Sequence, residues 1–361
     1  MRMMKMSIWA ARAAFVLPFT MACWASAQSY SITDLGSGTA IGVNTTGQAT
    51  GNASLNPHTL YDAFLYANGF EQDLGTLGGN TSTGWGVNDA GQVVGNSYTT
   101  NETADHAFLY SNGTMQDLGT LGGTNSYARG INNTGVAVGY SDTSQAGIQH
   151  AFLYANGTMQ DISGEAASQA YGINNSGQVT GWADMSTGHH AFIYSNGTMQ
   201  DLSPTLVGSA SWGYAINASG EVAGGSNTSG PGHATLFANG AVTDLGTLGG
   251  TTSNALGINN LSEVVGLSDT DGPEQHAFIW ANGTMQDLNS FIDPNSGWTL
   301  YEAYGINDAG QIVGAGLING QDEAFLLTPT PEPEACAIAL VAAIGLLRRR
   351  RGSREISSGN L

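Results

Sequence analysis

HAFLYSNGTMQDLGTLGGTNSYARGINNTGVAVG, residues 106–139, contains four short apolar runs that recur in whole or part along almost the entire chain. The Ala-Phe-Leu-Tyr run has seven versions, beginning at Ala63, Ala107, Ala151, Ala191, Ala234, Ala277 and Ala324, at spacings of 44, 44, 40, 43, 43 and 47 residues. Such a spacing is a repeat period, and a repeat period constrains the architecture more than any single motif does. The Asp-Leu run starts at Asp34, Asp73, Asp117, Asp161, Asp201, Asp244 and Asp287. The Gly-Ile-Asn run ends at Asn44, Asn88, Asn132, Asn174, Asn217, Asn259 and Asn307, and a Val-Val-Gly run follows each of these. Four runs in seven copies give twenty-eight candidate strands.

Each run is rich in Val, Ile, Phe, Tyr and Leu and is bounded by Gly, Asn, Asp or Ser, the pattern of strands separated by turns. No part of the repeat region keeps an apolar face at helical spacing for long enough to compete. Asn112-Gly113 and its copies sit between the third and fourth strands, where both residues of a tight hairpin turn need positive φ. Asn132-Asn-Thr-Gly135 and its copies close the first and second strands, since an Asn side chain can bond to its own turn. The two remaining links are longer, and one carries Gly-Thr-Leu-Gly-Gly at 75–79, 119–123 and 246–250.

This pattern predicts an all-β fold, a seven-bladed β-propeller of four-stranded antiparallel blades, with both tight turns at one end and both long loops at the other. A β-solenoid is the alternative, but its rungs are shorter and lack two hairpin turns per unit. The first run, Tyr30 to Gly36, is of the fourth-strand type, and the last, Ala324 to Leu327, is of the third-strand type. Pairing them completes a seventh blade and removes two open sheet edges.

Outside the repeats, residues 1–27 carry Arg2, Lys5 and Arg12, an apolar run from Ala13 to Trp24, and Ala25-Ser-Ala27. This is the form of a secretory signal, with signal-peptidase cleavage expected between Ala27 and Gln28. Cys23 is preceded by Thr20-Met-Ala, without the Leu expected of a lipoprotein signal. The repeat domain, 28–328, contains no Cys, so an oxidising compartment is tolerated without disulfides. It contains one basic residue, Arg129, against 25 Asp and Glu, a net charge of about −24 with His neutral. That field repels nucleic acid and anionic lipid, and leaves neutral ligands and divalent cations such as calcium.

A Pro/Glu-rich spacer follows at 329–334, then an apolar segment with an arginine cluster at 335–351, then a tail at 352–361. The thirteen apolar residues Ala335 to Leu347 would span about 20 Å as a helix, short of the roughly 30 Å hydrocarbon core, so a transient anchor is expected. Pro331-Glu332-Pro333, this segment and Arg348, Arg349, Arg350 and Arg351 together resemble the PEP-CTERM sorting signal. The resemblance implies processing by an exosortase in Gram-negative bacteria that make extracellular polysaccharide. His106-Ala-Phe108, His150-Ala-Phe152, His190-Ala-Phe192 and His276-Ala-Phe278 are similar to the HAF family of bacterial extracellular repeats over roughly residues 30–328. That resemblance implies export to the cell surface or extracellular space and supplies no catalytic residues.

Five histidines, His106, His150, His190, His233 and His276, precede the third-strand Ala, and Asp62 and Glu323 take that place in the other two repeats. Equivalent positions on separate blades do not converge on one ion, so each histidine is expected to bond to a top loop or hairpin neighbour of its own blade. His189 and His190 should face opposite ways on a strand. Asp269 and Asp271 are the weak candidates for calcium, since no stretch has the carboxylate density of a dedicated calcium loop. The Asn-Gly-Thr turns match glycosylation acceptors, but the hairpin already explains them.

The candidate ligand-binding residues immediately precede the Gly-Ile-Asn run. That position holds Ile41, Trp85, Arg129, Tyr171, Tyr214, Leu256 and Tyr304. If the first strand is innermost, these residues stand near the channel mouth on the long-loop face, where aromatics suit sugars and Arg129 can orient a carboxylate or hydroxyl. Packing between blades is the competing role, and Trp212 and Trp298, expected in neighbouring top loops, face the same choice. No nucleophile elbow, phosphate loop or spaced His and Cys ligand set is present. Two top-loop carboxylates such as Asp105 and Asp184 could in principle serve a glycosidase, which keeps a polysaccharide hydrolase or lyase as a further alternative. The expected function is therefore a binding module for extracellular polysaccharide, with a structural matrix or biofilm protein as the alternative.

Overall fold

The computed structural model describes residues 29–330 apart from 165, 187, 206–208 and 228–229. The signal segment, the cleavage site and the C-terminal sorting signal lie outside the described residues. Blade 3 shows the repeating unit: strands Gly122–Ile131, Ala137–Thr143, Gln149–Ala155 and Thr158–Asp161, paired antiparallel in that order. Blades 1, 2, 4, 5 and 6 repeat it over 38–73, 78–117, 168–201, 211–244 and 249–287. Blade 7 supplies three strands from 298–330 and takes its fourth from the N-terminus.

The fold is a seven-bladed propeller, and among the described residues it has 27 strands rather than 28, because one strand does the work of two. Ser29–Val43 pairs through its first half with the last strand, Gln321–Thr330, and through its second half with Ala49–Ala53. Its register slips between Asp34 and Ser37, where it passes from one blade to the next. The last strand runs on to Thr330 rather than stopping at 328, because Ser29 and Tyr30 pair with Thr330 and Pro329. Pro329 is tolerated there because the pairing with Ile312–Ile318 ends at Leu327, so on that side its missing N–H breaks no ladder bond.

Two glycines per repeat explain how tightly the strands approach. A Cβ on Gly95, in the Val-Val-Gly run, would lie 1.9 Å from Thr83 O and 2.7 Å from the Phe108 ring. A Cβ on Gly130, in the Gly-Ile-Asn run, would lie 2.9 Å from Tyr171 O on the next blade. The first glycine thus makes room for the Phe that is wholly buried in six of the seven blades, and the second lets innermost strands touch. Between blades, Leu118 from the Asp-Leu run packs with Ala107 and Val94 of blade 2 and with Ala128, Ala137, Phe152 and Tyr154 of blade 3. The Asp-Leu leucine is therefore an inter-blade wedge. Burying each such side chain contributes about 2 kcal/mol.

Polar bonds repeat as regularly as the apolar core. The buried Ser82, Ser126, Ser168, Ser211 and Ser253 each accept the N–H of the third-strand Ala on the preceding blade, at 2.8–3.0 Å. At the tight-turn end, each Gly-Ile-Asn asparagine accepts backbone N–H groups of its own turn through Oδ1, as Asn132 does from Thr134 and Val136. Its Nδ2 donates to the backbone carbonyl of the same asparagine on the next blade. Asn44, Asn88, Asn132, Asn174, Asn217, Asn259 and Asn307 form in this way a closed ring of seven bonds of 2.8–3.3 Å. All seven are at most 5% exposed.

The hairpins follow the turn chemistry, with Asn112 and Gly113 at φ of 52° and 80°. The Gly-Thr-Leu-Gly-Gly link is less of a loop than its composition suggests. Its closing glycine pair already belongs to the first strand, Gly78–Val87 in blade 2, while Thr76 Oγ1 accepts from Gly78 N and donates to Gly79 O.

Candidate functional site

On the innermost strand of each blade the register with the second strand shifts across one unpaired residue, a β-bulge, which places Ile41, Trp85, Arg129, Tyr171, Tyr214, Leu256 and Tyr304 at one level. All seven are half-buried. Tyr171, Tyr214, Leu256 and Tyr304 line a channel cavity of about 220 Å³ together with the belt of inner-strand glycines. Trp85 and Arg129 do not line it; they engage each other. The Arg129 guanidinium carbon stands 3.6 Å above the Trp85 ring and Nη2 donates to Tyr140 Oη at 2.8 Å, while Nε is buried without a partner.

Around this pair the aromatics continue from blade to blade. Tyr127 stacks on Tyr140 with centroids 4.9 Å apart, Tyr140 meets Tyr171 edge-on at 6.3 Å, and Tyr171 lies 5.3 Å from Tyr214. Burial pushes the hydroxyls of Tyr127 and Tyr214 up to about 12 and raises that of Tyr171. These phenols therefore stay neutral donors near neutral pH.

A chain of polar side chains runs beside them. Trp85 Nε1 donates to Asn96, and Asn96 donates to both oxygens of Asp105 at 2.9 and 3.0 Å. Asn125 accepts from Asp105 N and donates to Asp142, whose other oxygen accepts from Gln149. Gln169 donates to Gln149 and accepts from Tyr171 Oη and Trp182 Nε1. Burial raises the Asp105 carboxyl against the opposing pull of Asn96 and Arg129. The aromatic and polar groups thus concentrate on blades 2 to 5, whereas the same level holds Ile41 on blade 1 and Leu256 on blade 6. Tyr304 on blade 7 stands apart, hydrogen-bonded to Glu302.

Other candidates fall outside this crescent. Trp212 and Trp298 lie on first strands, Ser211–Ile216 and Trp298–Ile306, not in loops, because pairing with the second strand extends further toward the top than the apolar run itself. Trp298 packs edge-on against Phe325 at 6.3 Å. The Asp269 carboxylate is occupied by Thr251 and Thr252, and Asp271 is exposed beside a depression of about 390 Å³ that includes Glu274 and His276. Among the described residues no three His, Cys, Asp or Glu side chains come together as a metal-holding group. Asp184 pairs with His189, and Asp105 with Asn96, so neither carboxyl of the hydrolase pair is unengaged.

The five repeat histidines each place Nδ1 2.6–2.9 Å from the Asp of the adjoining fourth strand: His106 with Asp117, His150 with Asp161, His190 with Asp201, His233 with Asp244 and His276 with Asp287. The hairpin partner is thus the contact, and the Asp of the Asp-Leu run is what the histidine holds. His189 is more than half exposed and His190 fully buried, on opposite faces of one strand.

No protein-family model matches the chain, and no curated protein matches it in sequence. Solved structures do match in fold. YCF48 bound to D1 peptide aligns at a TM-score of 0.51 and 12% identity, over 84% of this chain and 96% of that one. TolB from Acinetobacter baumannii aligns at 0.42 and 12%, over 67% of this chain and 64% of that one, so this chain spans under two thirds of TolB. The β-propeller domain of the Trilobed protease from Pyrococcus furiosus aligns at 0.39 and 10%, over 74% of this chain and 100% of that one. At these identities the likeness is one of fold: a β-propeller.

Proposed function

We propose that this propeller is an exported binding module and that its ligand is extracellular polysaccharide, received on the long-loop face of blades 2 to 5. The crescent from Trp85 and Arg129 through Tyr140 and Tyr171 to Tyr214 carries the reading. It joins aromatic faces to hydroxyl, amide and carboxylate groups, the mixture that recognises sugar rings and their hydroxyls. The channel cavity, at about 220 Å³, is small for a whole ligand, which favours a chain lying across the face over a molecule enclosed within it. The N-terminal secretory pattern and the C-terminal resemblance to an exosortase signal supply the route to the cell surface, where such polysaccharide is made. Secretion machinery, signal peptidase and exosortase are the partners this reading requires, and nucleic acid is excluded by charge.

Binding of the purified protein to a glycan panel, with and without calcium, tests it. Saturable binding should weaken about tenfold or more in Trp85→Ala and Tyr171→Ala variants that keep the wild-type far-UV spectrum. Binding unchanged in both variants refutes the location, and no binding to any glycan refutes the ligand class. A second reading, a structural matrix protein without a discrete ligand, is favoured by one observation: Trp85, Tyr171 and Tyr304 already spend their polar atoms on Asn96, Gln169 and Glu302.

A further inference from the structure

The two ends of the propeller differ in charge. The first strand of each blade runs away from the long-loop end, so residues before the crescent position lie toward that end, as do the ends of the second and fourth strands, the starts of the third, and the links. Nineteen of the 24 Asp and Glu in the described residues lie there, against five toward the tight turns, and Arg129 is the sole Lys or Arg of 28–328 to offset them. The aromatic crescent opens on the same end. It therefore sits in a negative field, which concentrates cations and disfavours polyanions.

One place in the crescent joins this field to an aromatic face. Tyr127 stacks on Tyr140, and Burial first, then Asp105, Tyr140, Asp142 and Tyr98, push its hydroxyl up to about 12, so carboxylates of blades 2 and 3 act on one ring. Tyr98, paired with Asp105 across blade 2, is 39% exposed. Asn125 ties the two acids together, accepting from Asp105 N at 3.1 Å and donating through Nδ2 to Asp142 at 2.9 Å. Every side-chain donor to these carboxylates is a neutral amide: Asn96 to Asp105, and Asn125 and Gln149 to Asp142. Arg129, engaged by Trp85 and Tyr140, makes an ion pair with neither. Both carboxylates are partly exposed, and each keeps its charge and some acceptor capacity.

We infer that the polysaccharide received on this face is one whose sugars carry free amino groups, with sugar rings on Tyr98 and Tyr127 and ammonium groups on Asp105 and Asp142. The inference rests on the crescent being a polysaccharide site and adds the charge of its ligand. An ammonium has three donors and no acceptor, which matches carboxylates whose present partners are all uncharged. It is also drawn to aromatic faces, which a carboxylate is not. N-acetylation removes that charge and a uronate reverses it, so sugars of one ring size separate the three cases.

The test is binding of the purified protein, at about pH 6 where an ordinary amine is charged, to glucosamine, N-acetylglucosamine and uronate oligomers of equal length. The glucosamine oligomer should bind about tenfold or more tighter than the other two, and should alone weaken as salt shortens the screening length from about 30 Å to about 8 Å. Asp105→Asn with Asp142→Asn should remove that preference. Glu221→Gln with Glu263→Gln makes the same change of charge at the tight-turn end, where Gln48, Gln92, Gln178 and Gln311 already hold the equivalent position, and should leave binding unchanged. If the Asp pair fails to fold, the preference and salt dependence of the unaltered protein, and their loss in Trp85→Ala, decide. Equal binding of glucosamine and N-acetylglucosamine oligomers, or tighter binding of the uronate with or without calcium, overturns the proposal and leaves the polysaccharide reading standing. Binding that survives Trp85→Ala, or that falls equally with the tight-turn pair, is unspecific attraction and overturns it too. Oligolysine bound as tightly, and as sensitive to Trp85→Ala, replaces the sugar by a basic peptide, and no binding to any glycan overturns both readings.

Discussion

Replacing Asn132 by Ala should be among the most damaging single-atom-group losses in the protein, although the residue is small and distant from the hydrophobic wedges. Its Oδ1 accepts the N–H groups of Thr134 at 3.1 Å and Val136 at 3.0 Å, and its Nδ2 reaches Asn174 O at 3.3 Å. At 5% exposure, water does not readily replace these partners. Leaving two backbone donors unsatisfied costs about 1–3 kcal/mol each, and losing the inter-blade bond costs about 1 kcal/mol more, so Asn132→Ala should destabilise by about 3–7 kcal/mol. Asn132→Asp separates the two contributions, because it keeps the turn acceptor but sets a carboxylate oxygen against the Asn174 carbonyl. Its loss should be smaller at about pH 4 than at pH 7, since the protonated carboxyl regains a donor. Urea denaturation at matched m-values measures both. A loss below about 1 kcal/mol for Asn132→Ala, or a pH-independent Asn132→Asp, would show that the ring of asparagines contributes nothing to holding the blades together.

Three further outcomes follow from the packing. Gly95→Ala should prevent folding or cost more than about 3 kcal/mol, read as soluble yield and denaturation midpoint, because its Cβ would collide with Thr83 O and the Phe108 ring. Leu118→Ala should cost about 2–5 kcal/mol by opening a void between blades 2 and 3, and should leave the aromatic crescent's fluorescence unchanged. Ser126→Ala should cost about 2 kcal/mol in the same assay, since Ala107 N loses its buried acceptor and Gly119 O its donor.

The repeat period, the strand runs and the two kinds of tight turn were legible in the sequence because each depends on residues close together in the chain, and the closure of the ring because its two end runs are complementary in type. Asn112-Gly113 demands positive φ wherever it sits, and a fourth-strand run at the start with a third-strand run at the end leaves one economical pairing. The roles that link blades were not legible. Asn132 read as a turn residue, yet half of its work is to bond a carbonyl 42 residues away. Its presence in all seven repeats, Asn44 to Asn307, was the available signal, since a tight turn alone does not require the same residue every time. The buried serines gave a weaker signal, a Ser 17 to 20 residues after Ala63, Ala107, Ala151, Ala191 and Ala234.

The candidate site divides in the same way. Sequence alone determined which side chains stand at the level of the channel mouth, because the same place in every repeat is the same height in every blade. It also determined that Arg129 is the one fixed cation of the repeat domain. Tertiary structure decided what those side chains touch: Arg129 lies on Trp85 of the preceding blade, 44 residues earlier, and Tyr171 reaches Tyr214 of the following one. Contacts across a blade boundary depend on the angle and spacing between sheets, which summed packing sets and no local pattern encodes. Glu323 is the sharpest instance: it was visible as a departure from histidine, but only the pairing of the first strand with the last, set by packing around the whole ring, brings its strand beside Asp34.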